Sequence, residues 1–160
     1  METIEYGMYT MCMIQEGNKI LLQKRPGERG FPGFIAPGGK LEFPESLTEG
    51  AVREVREETG LIIKPEDLIY KGLDEYVDPQ NNFRYMVFNY LACEFKGELL
   101  ADPPEGDLIW VDVNEAANLP MQSWFKRRLP LFFKEGTFEI SIVWDEEHQK
   151  TIEDKVRLLK

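Results

Sequence analysis

Between Gly39 and Leu61 the chain concentrates carboxylates in a spacing suited to holding a metal ion. The run is GKLEFPESLTEGAVREVREETGL, with Glu45, Arg53, Glu54, Glu57 and Glu58 as its charged landmarks. Pro44 and the Gly38-Gly39 pair interrupt regular structure, and Glu45 or Ser46 can open a helix. The helix is expected to run to about Thr59 and to stop at Gly60, a residue type favoured just past a helix end. At 3.6 residues per turn, Glu54, Glu57 and Glu58 share an arc of roughly 100°. Ala51, Val52 and Val55 occupy the neighbouring arc, so the acids border the apolar stripe and are partly shielded from water. Like charges at this spacing destabilise a helix. An oxygen-loving divalent cation offsets that cost, Mg²⁺ first and Mn²⁺ as the alternative, and Mg²⁺ commonly shares its shell with substrate phosphates. Arg53 can hold one glutamate through its planar fork.

The same residues match, position by position, the signature G-x5-E-x7-R-E-U-x-E-E-x-G-U, where U is bulky and apolar. Residues 39–61 therefore resemble a complete Nudix box. A chance match at a given start is on the order of once in 10^9 at ordinary residue frequencies. The resemblance implies an α/β fold, a Nudix-type α/β/α sandwich with a mixed β-sheet. It implies Glu54, Glu57 and Glu58 as metal ligands with the Gly39 carbonyl as a further one, and Arg53 as the orienting arginine. Glu54 is alternatively the base that activates water. Glu45 matches the first glutamate of the box, in a structural or a direct metal role.

Outside the box, Glu105 precedes a short strand ending at Trp110, in the loop where MutT-like members commonly place a glutamate that reaches the metal or the attacking water. Arg25, at the end of the second strand, resembles a substrate-binding basic residue of those relatives. Lys40 is a second candidate phosphate contact, and the Gly38-Gly39 backbone can approach a diphosphate closely. No Ser or Thr follows to make a P-loop. The segment around Trp124 resembles the C-terminal part of the oxidised-purine hydrolases of this group, which makes Trp124 a candidate platform for a base. Phe31 and Phe34 are weaker candidates. Some vertebrate-type relatives read the oxidised base with an asparagine where this chain has Ile35 and with a pair of aspartates where it has Lys126-Arg127-Arg128, so those roles do not carry over.

The elements that must position these groups read as one domain over residues 1–160. A hairpin is expected from Met8–Gln15 and Lys19–Lys24. A Gly- and Pro-rich loop follows over Gly27–Gly39, with a short strand near Phe34–Ala36. Strands are expected over Leu68–Tyr76, Arg84–Phe95 and Asp107–Val111. Arg84–Phe95 is apolar on both faces and so central in the sheet. Helices are expected over Val113–Ala117 and Ser123–Phe133, then a last strand over Phe138–Trp144, paired with Ile152–Val156.

Composition narrows the chemistry. With 160 residues and 42% apolar content the chain can bury a sizeable core. A net charge of −10 argues against nucleic acid as the main partner. A single histidine, His148, removes His-bound zinc and a Ser-His-Asp triad as readings. The only two cysteines, Cys12 and Cys93, and the lack of a signal peptide or membrane-spanning run point to a cytoplasmic protein with no membrane partner. Nothing in the chain requires a homodimer, and nothing excludes one. The expectation is Mg²⁺-dependent cleavage of a nucleoside triphosphate, with oxidised dGTP as a candidate, to nucleoside monophosphate and pyrophosphate. The alternatives are ADP-ribose, a dinucleoside polyphosphate, a nucleotide sugar or an RNA 5′ end as substrate, or a nucleotide-sensing module without catalysis.

Overall fold

The computed structural model describes residues 2–27 and 32–160. Its sheet begins with a hairpin, β1 (Glu5–Glu16) and β2 (Lys19–Arg25), turning at Gly17-Asn18 as the sequence implies. Side chains alternate along β1. Cys12 and Ile14 enter one core with Leu21, whereas Met11 and Met13 enter another with Ile20 and Leu22. The two strands pair only beside the turn, at Gln15↔Ile20 and Glu16↔Lys19, and then part. Beyond that point β2 runs with β3 (Gly33–Ile35) and β7 (Asp107–Asp112). β1 runs antiparallel to β4 (Gly38–Lys40) and parallel to β6 (Phe83–Ala92). β5 (Leu68–Asp78), β8 (Thr137–Asp145) and β9 (Lys150–Leu159) complete the order β3-β2-β1-β6-β5-β8-β9. β6 is central, as its two apolar faces require, and the β8–β9 pairing expected from sequence is present, for example Ile140↔Val156.

Helix α1 (Leu47–Thr59) covers the Cys12 side through Ala51 and Val55. It starts where the sequence says it should. Ser46 caps the Glu49 amide and the Glu49 side chain returns to the Ser46 amide, a reciprocal arrangement worth about 1 kcal/mol or more. It ends at Gly60, whose φ of 86° a residue with a Cβ adopts only under strain. Helix α2 (Ser123–Arg128) covers the other side through Phe125, followed by a 3₁₀ stretch over Leu129–Phe133. The layers are therefore α/β/α around a mixed sheet.

Three local expectations are corrected. The helix expected over Ser123–Phe133 splits at Arg128, because Pro130 has no N–H to continue the ladder and the winding tightens. The helix expected over Val113–Ala117 is a turn with one 3₁₀ turn, Ala116–Asn118. Asp112 takes the Asn114 amide on its side chain at 2.8 Å and the Glu115 amide on its carbonyl at 2.9 Å. Gly38 and Gly39, read as the end of a loop, belong to strand β4. Its pairing is supplied by β1, against the local propensity of a Gly pair. Among the described residues no helix is long and apolar enough to cross a membrane.

Candidate active site

Arg53 on α1 is the hub of the acidic segment. Its Nε donates to Glu45 Oε2 at 3.0 Å and its Nη2 to Glu45 Oε1 at 2.7 Å. Nη1 donates to Glu54 Oε1 at 3.0 Å and Glu57 Oε2 at 3.1 Å, and Nη2 also reaches the Lys40 carbonyl at 3.1 Å. The fork thus ties α1 to β4 and to the loop ahead of the helix. Hydrogen bonding to Arg53 holds the Glu45 carboxyl below its ordinary value, and Glu45 in turn helps raise Arg53. Glu45 also accepts the Glu42 amide at 2.7 Å, which fits the structural role open to it from sequence.

Glu58 is buried one turn on from Glu54, with Gln23 Nε2 donating to its Oε1 at 2.9 Å. Its Oε2 is buried with no hydrogen-bond partner. Burial first, then the neighbouring Glu54 and the charge of Glu105, push the Glu58 carboxyl up to about 9. Three carboxyl groups from two segments therefore sense one another here. A Cβ at Gly39 would lie 2.6 Å from the Glu54 carboxylate, and one at Gly38 would run into the Thr10 carbonyl, so only glycine lets this backbone approach both. The donor set is all oxygen, and one buried carboxylate oxygen lacks a counterpart. Those features suit a hard divalent cation. Glu57 differs from the sequence picture: its side chain is 54% exposed and turned to Arg53. Among the described residues no three acidic, His or Cys side chains already converge as a chelate.

A cleft of about 580 Å³ opens where β1 and β2 part. One wall holds Glu54 and Glu58 from α1, Gly38 and Gly39 from β4, and Gln23, with Arg25 and Glu105 also bordering the cleft. The other holds Tyr9, Tyr85, Val87, Trp124 and Arg128. Of the residues singled out in the sequence, the fold brings Arg25, Gly38, Gly39, Glu54, Glu58, Glu105 and Trp124 to this one space. Lys40 and Glu57 are exposed and lie outside its lining, the buried Phe34 also lies outside it, and Phe31 lies outside the described residues.

Arg128, Asp74, Asn89 and Gln23 received no role from the sequence, yet Arg128 and Gln23 line the cleft and Asp74 and Asn89 hold Arg128. Arg128 is 3% exposed; its Nε and Nη2 donate to Asp74 Oδ2 at 3.0 and 2.6 Å, and its Nη1 to Asn89 Oδ1 at 3.2 Å. Its guanidinium carbon lies 5.4 Å from the Trp124 ring centre. The available signal was the four-residue step from Trp124 to Arg128, which puts both on one helix face.

Comparison with known proteins gives a consistent result. The NUDIX domain family matches residues 7–132. The chain is 38% identical over 116 residues to a Bacillus subtilis protein named "Uncharacterized Nudix hydrolase YvcI", covering 70% of each. It is 37% identical over 110 residues to the ADP-ribose pyrophosphatase of Methanocaldococcus jannaschii, covering 68% of this chain and 61% of that one. The mutator MutT protein from Bacillus halodurans superposes with a TM-score of 0.77 at 28% identity, covering 94% of this chain and 97% of the other. The E. coli ORF135 protein superposes with a TM-score of 0.66 at 25% identity, covering 81% and 89%.

Proposed function

Because the chain belongs to the NUDIX domain family, we propose that its cleft hydrolyses a nucleoside triphosphate to nucleoside monophosphate and pyrophosphate with Mg²⁺. Oxidised dGTP is the leading candidate substrate, in clearance of damaged nucleotides from the pool. The observation that carries this reading is the buried, incompletely paired Glu58, set against Glu54 and the Gly39 backbone in the same cleft as Arg25 and Trp124.

Glu54, Glu58 and Glu105, with the Gly39 carbonyl, would hold Mg²⁺, and Glu57 would join them by releasing Arg53. Bound there, the cation would supply positive charge to offset that of the phosphates and the leaving group. The water oxygen bonds to phosphorus as the P–O bond of the α,β bridge breaks, and the water proton passes to a carboxylate of the cleft, Glu54 or Glu105. Arg53 keeps Glu54 aimed while that proton moves. Arg25 offsets charge on the phosphates, Lys40 adds to the field from outside the cleft, and Trp124 offers a face to the base.

The test is mass identification of products from ordinary and oxidised deoxynucleoside triphosphates incubated side by side with the protein and Mg²⁺. Pyrophosphate and monophosphate, released faster from the oxidised substrate, are the expected result. Orthophosphate alone, or no cleavage of any triphosphate, rejects the reading. One observation favours a second substrate: the Methanocaldococcus jannaschii relative is named an ADP-ribose pyrophosphatase. ADP-ribose therefore belongs in the same panel, where release of AMP without triphosphate cleavage would select it.

A further inference from the structure

The wall opposite the carboxylates carries a buried cation whose charge is already matched. Arg128 is fixed by Asp74 and Asn89, from β5 and β6, and by Trp124, from its own helix. Its Nη1 also points to the Met11 thioether at 3.4 Å, a weak acceptor. A guanidinium has five N–H groups and no acceptor. Two go to Asp74 and one each to Asn89 and Met11, which leaves one on Nη2 without a protein partner among the described residues. The group lines the cleft between aromatic and apolar side chains, Tyr9, Tyr85, Val87 and Trp124.

Two consequences follow from elementary chemistry. Paired with Asp74, Arg128 presents little net charge, so this wall does not attract a phosphate; the phosphates have Arg25 and a cation to meet on the other wall. A buried N–H with no acceptor is costly, and a neutral acceptor on a flat ring, placed among aromatic rings, relieves that cost. We propose that Arg128 is the specificity-determining residue of the cleft, donating to a ring carbonyl of the nucleobase, so that the site selects 6-keto purines over 6-amino purines. This rests on the nucleotide reading above and sharpens it. A donor-only side chain cannot accept from an exocyclic amino group, so adenine leaves the N–H unpaired and brings a second donor against it.

Inosine and adenosine nucleotides isolate the point, because they differ only at the 6 position and its ring neighbour. Binding of the two monophosphates is measured by titration calorimetry, with turnover of the two triphosphates in Mg²⁺ alongside. The protein should bind inosine monophosphate about 10-fold or more tightly than adenosine monophosphate. Two variants test the residue. Arg128→Lys keeps the charge opposite Asp74 and loses the planar fork; Asp74→Asn with Arg128→Gln removes both charges together and so guards against misfolding. In each the preference should shrink to within about twofold, a ratio that a purely structural role for Arg128 would leave alone. Equal binding of the two monophosphates by the unaltered protein, or a preference retained in both variants, overturns the proposal. A preserved binding preference without release of pyrophosphate would sink the proposed reaction and leave the base assignment standing.

Discussion

The two walls of the cleft handle buried charge in opposite ways. On the α1 wall Arg53 is shared among Glu45, Glu54 and Glu57, and Glu58 remains buried with one oxygen unpartnered. On the α2 wall a single arginine is matched by one aspartate and one asparagine. The first leaves one buried carboxyl oxygen without a hydrogen-bond partner. The second is complete within the protein, apart from one donor. A site that must bind and release a cation gains from the first arrangement, and a site that must hold a fixed shape gains from the second.

The largest expected effect breaks the complete wall. Arg128→Ala should destabilise the protein by about 3–5 kcal/mol, because Asp74 is left buried and unpaired. Denaturant midpoints for Arg128→Ala and for the double change with Asp74→Asn check this, since the double change should recover most of the loss. If Arg128→Ala unfolds at the unaltered midpoint, the two walls do not differ as described.

Glu57→Gln attacks the incomplete wall. Its side chain is exposed, so the fold should be unaffected, while turnover should fall about 10²–10³-fold. A Mg²⁺ titration of initial rates on the same variant should show the metal requirement shifted to higher concentration. Unchanged rates would remove Glu57 from the metal assignment.

Acidity gives a third contrast. The Glu58 carboxyl sits near 9 in the folded protein against an ordinary 4.5, so the folded state keeps a proton that the unfolded chain releases. Its contribution to stability is full at pH below 4.5 and is lost as pH rises towards about 9. Thermal midpoints with a chelator should therefore decline across that window, and the decline should flatten with Mg²⁺ or in Glu58→Gln. A chelated protein with a flat profile would contradict the burial argument. The smallest effect is expected from Lys40→Ala: an exposed charge outside the lining should raise KM by about threefold at most and leave kcat unchanged.

How far each wall could be read from the sequence follows the same division. Residues 39–61 are contiguous, and one helical period carries Arg53, Glu54 and Glu58 to their places, so the α1 wall was legible down to its caps. Glu57 was grouped with its neighbours by angle, but angle alone does not say that its exposed side chain pairs with Arg53. The α2 wall is assembled from Asp74 and Arg128, 54 residues apart, and from Asn89, 39 residues from Arg128. No local period encodes such a meeting. Strand β4 escaped for a related reason, since a Gly pair becomes extended only because β1 lies alongside.

Tyr9, Thr10 and Met11 are consecutive on β1, and all three line the cleft. Because alternate side chains of a strand face opposite ways, this one backbone segment serves as a common spine for the carboxylate wall and the aromatic wall. An inserted or deleted residue upstream of the parting point would turn each of these side chains over, exchanging the neighbours of both partners at once. Length variation should therefore accumulate at the Gly17-Asn18 turn and be purged from Tyr9–Met11. Tyr9 is also one peptide unit from Thr10, the residue that pairs with Gly39.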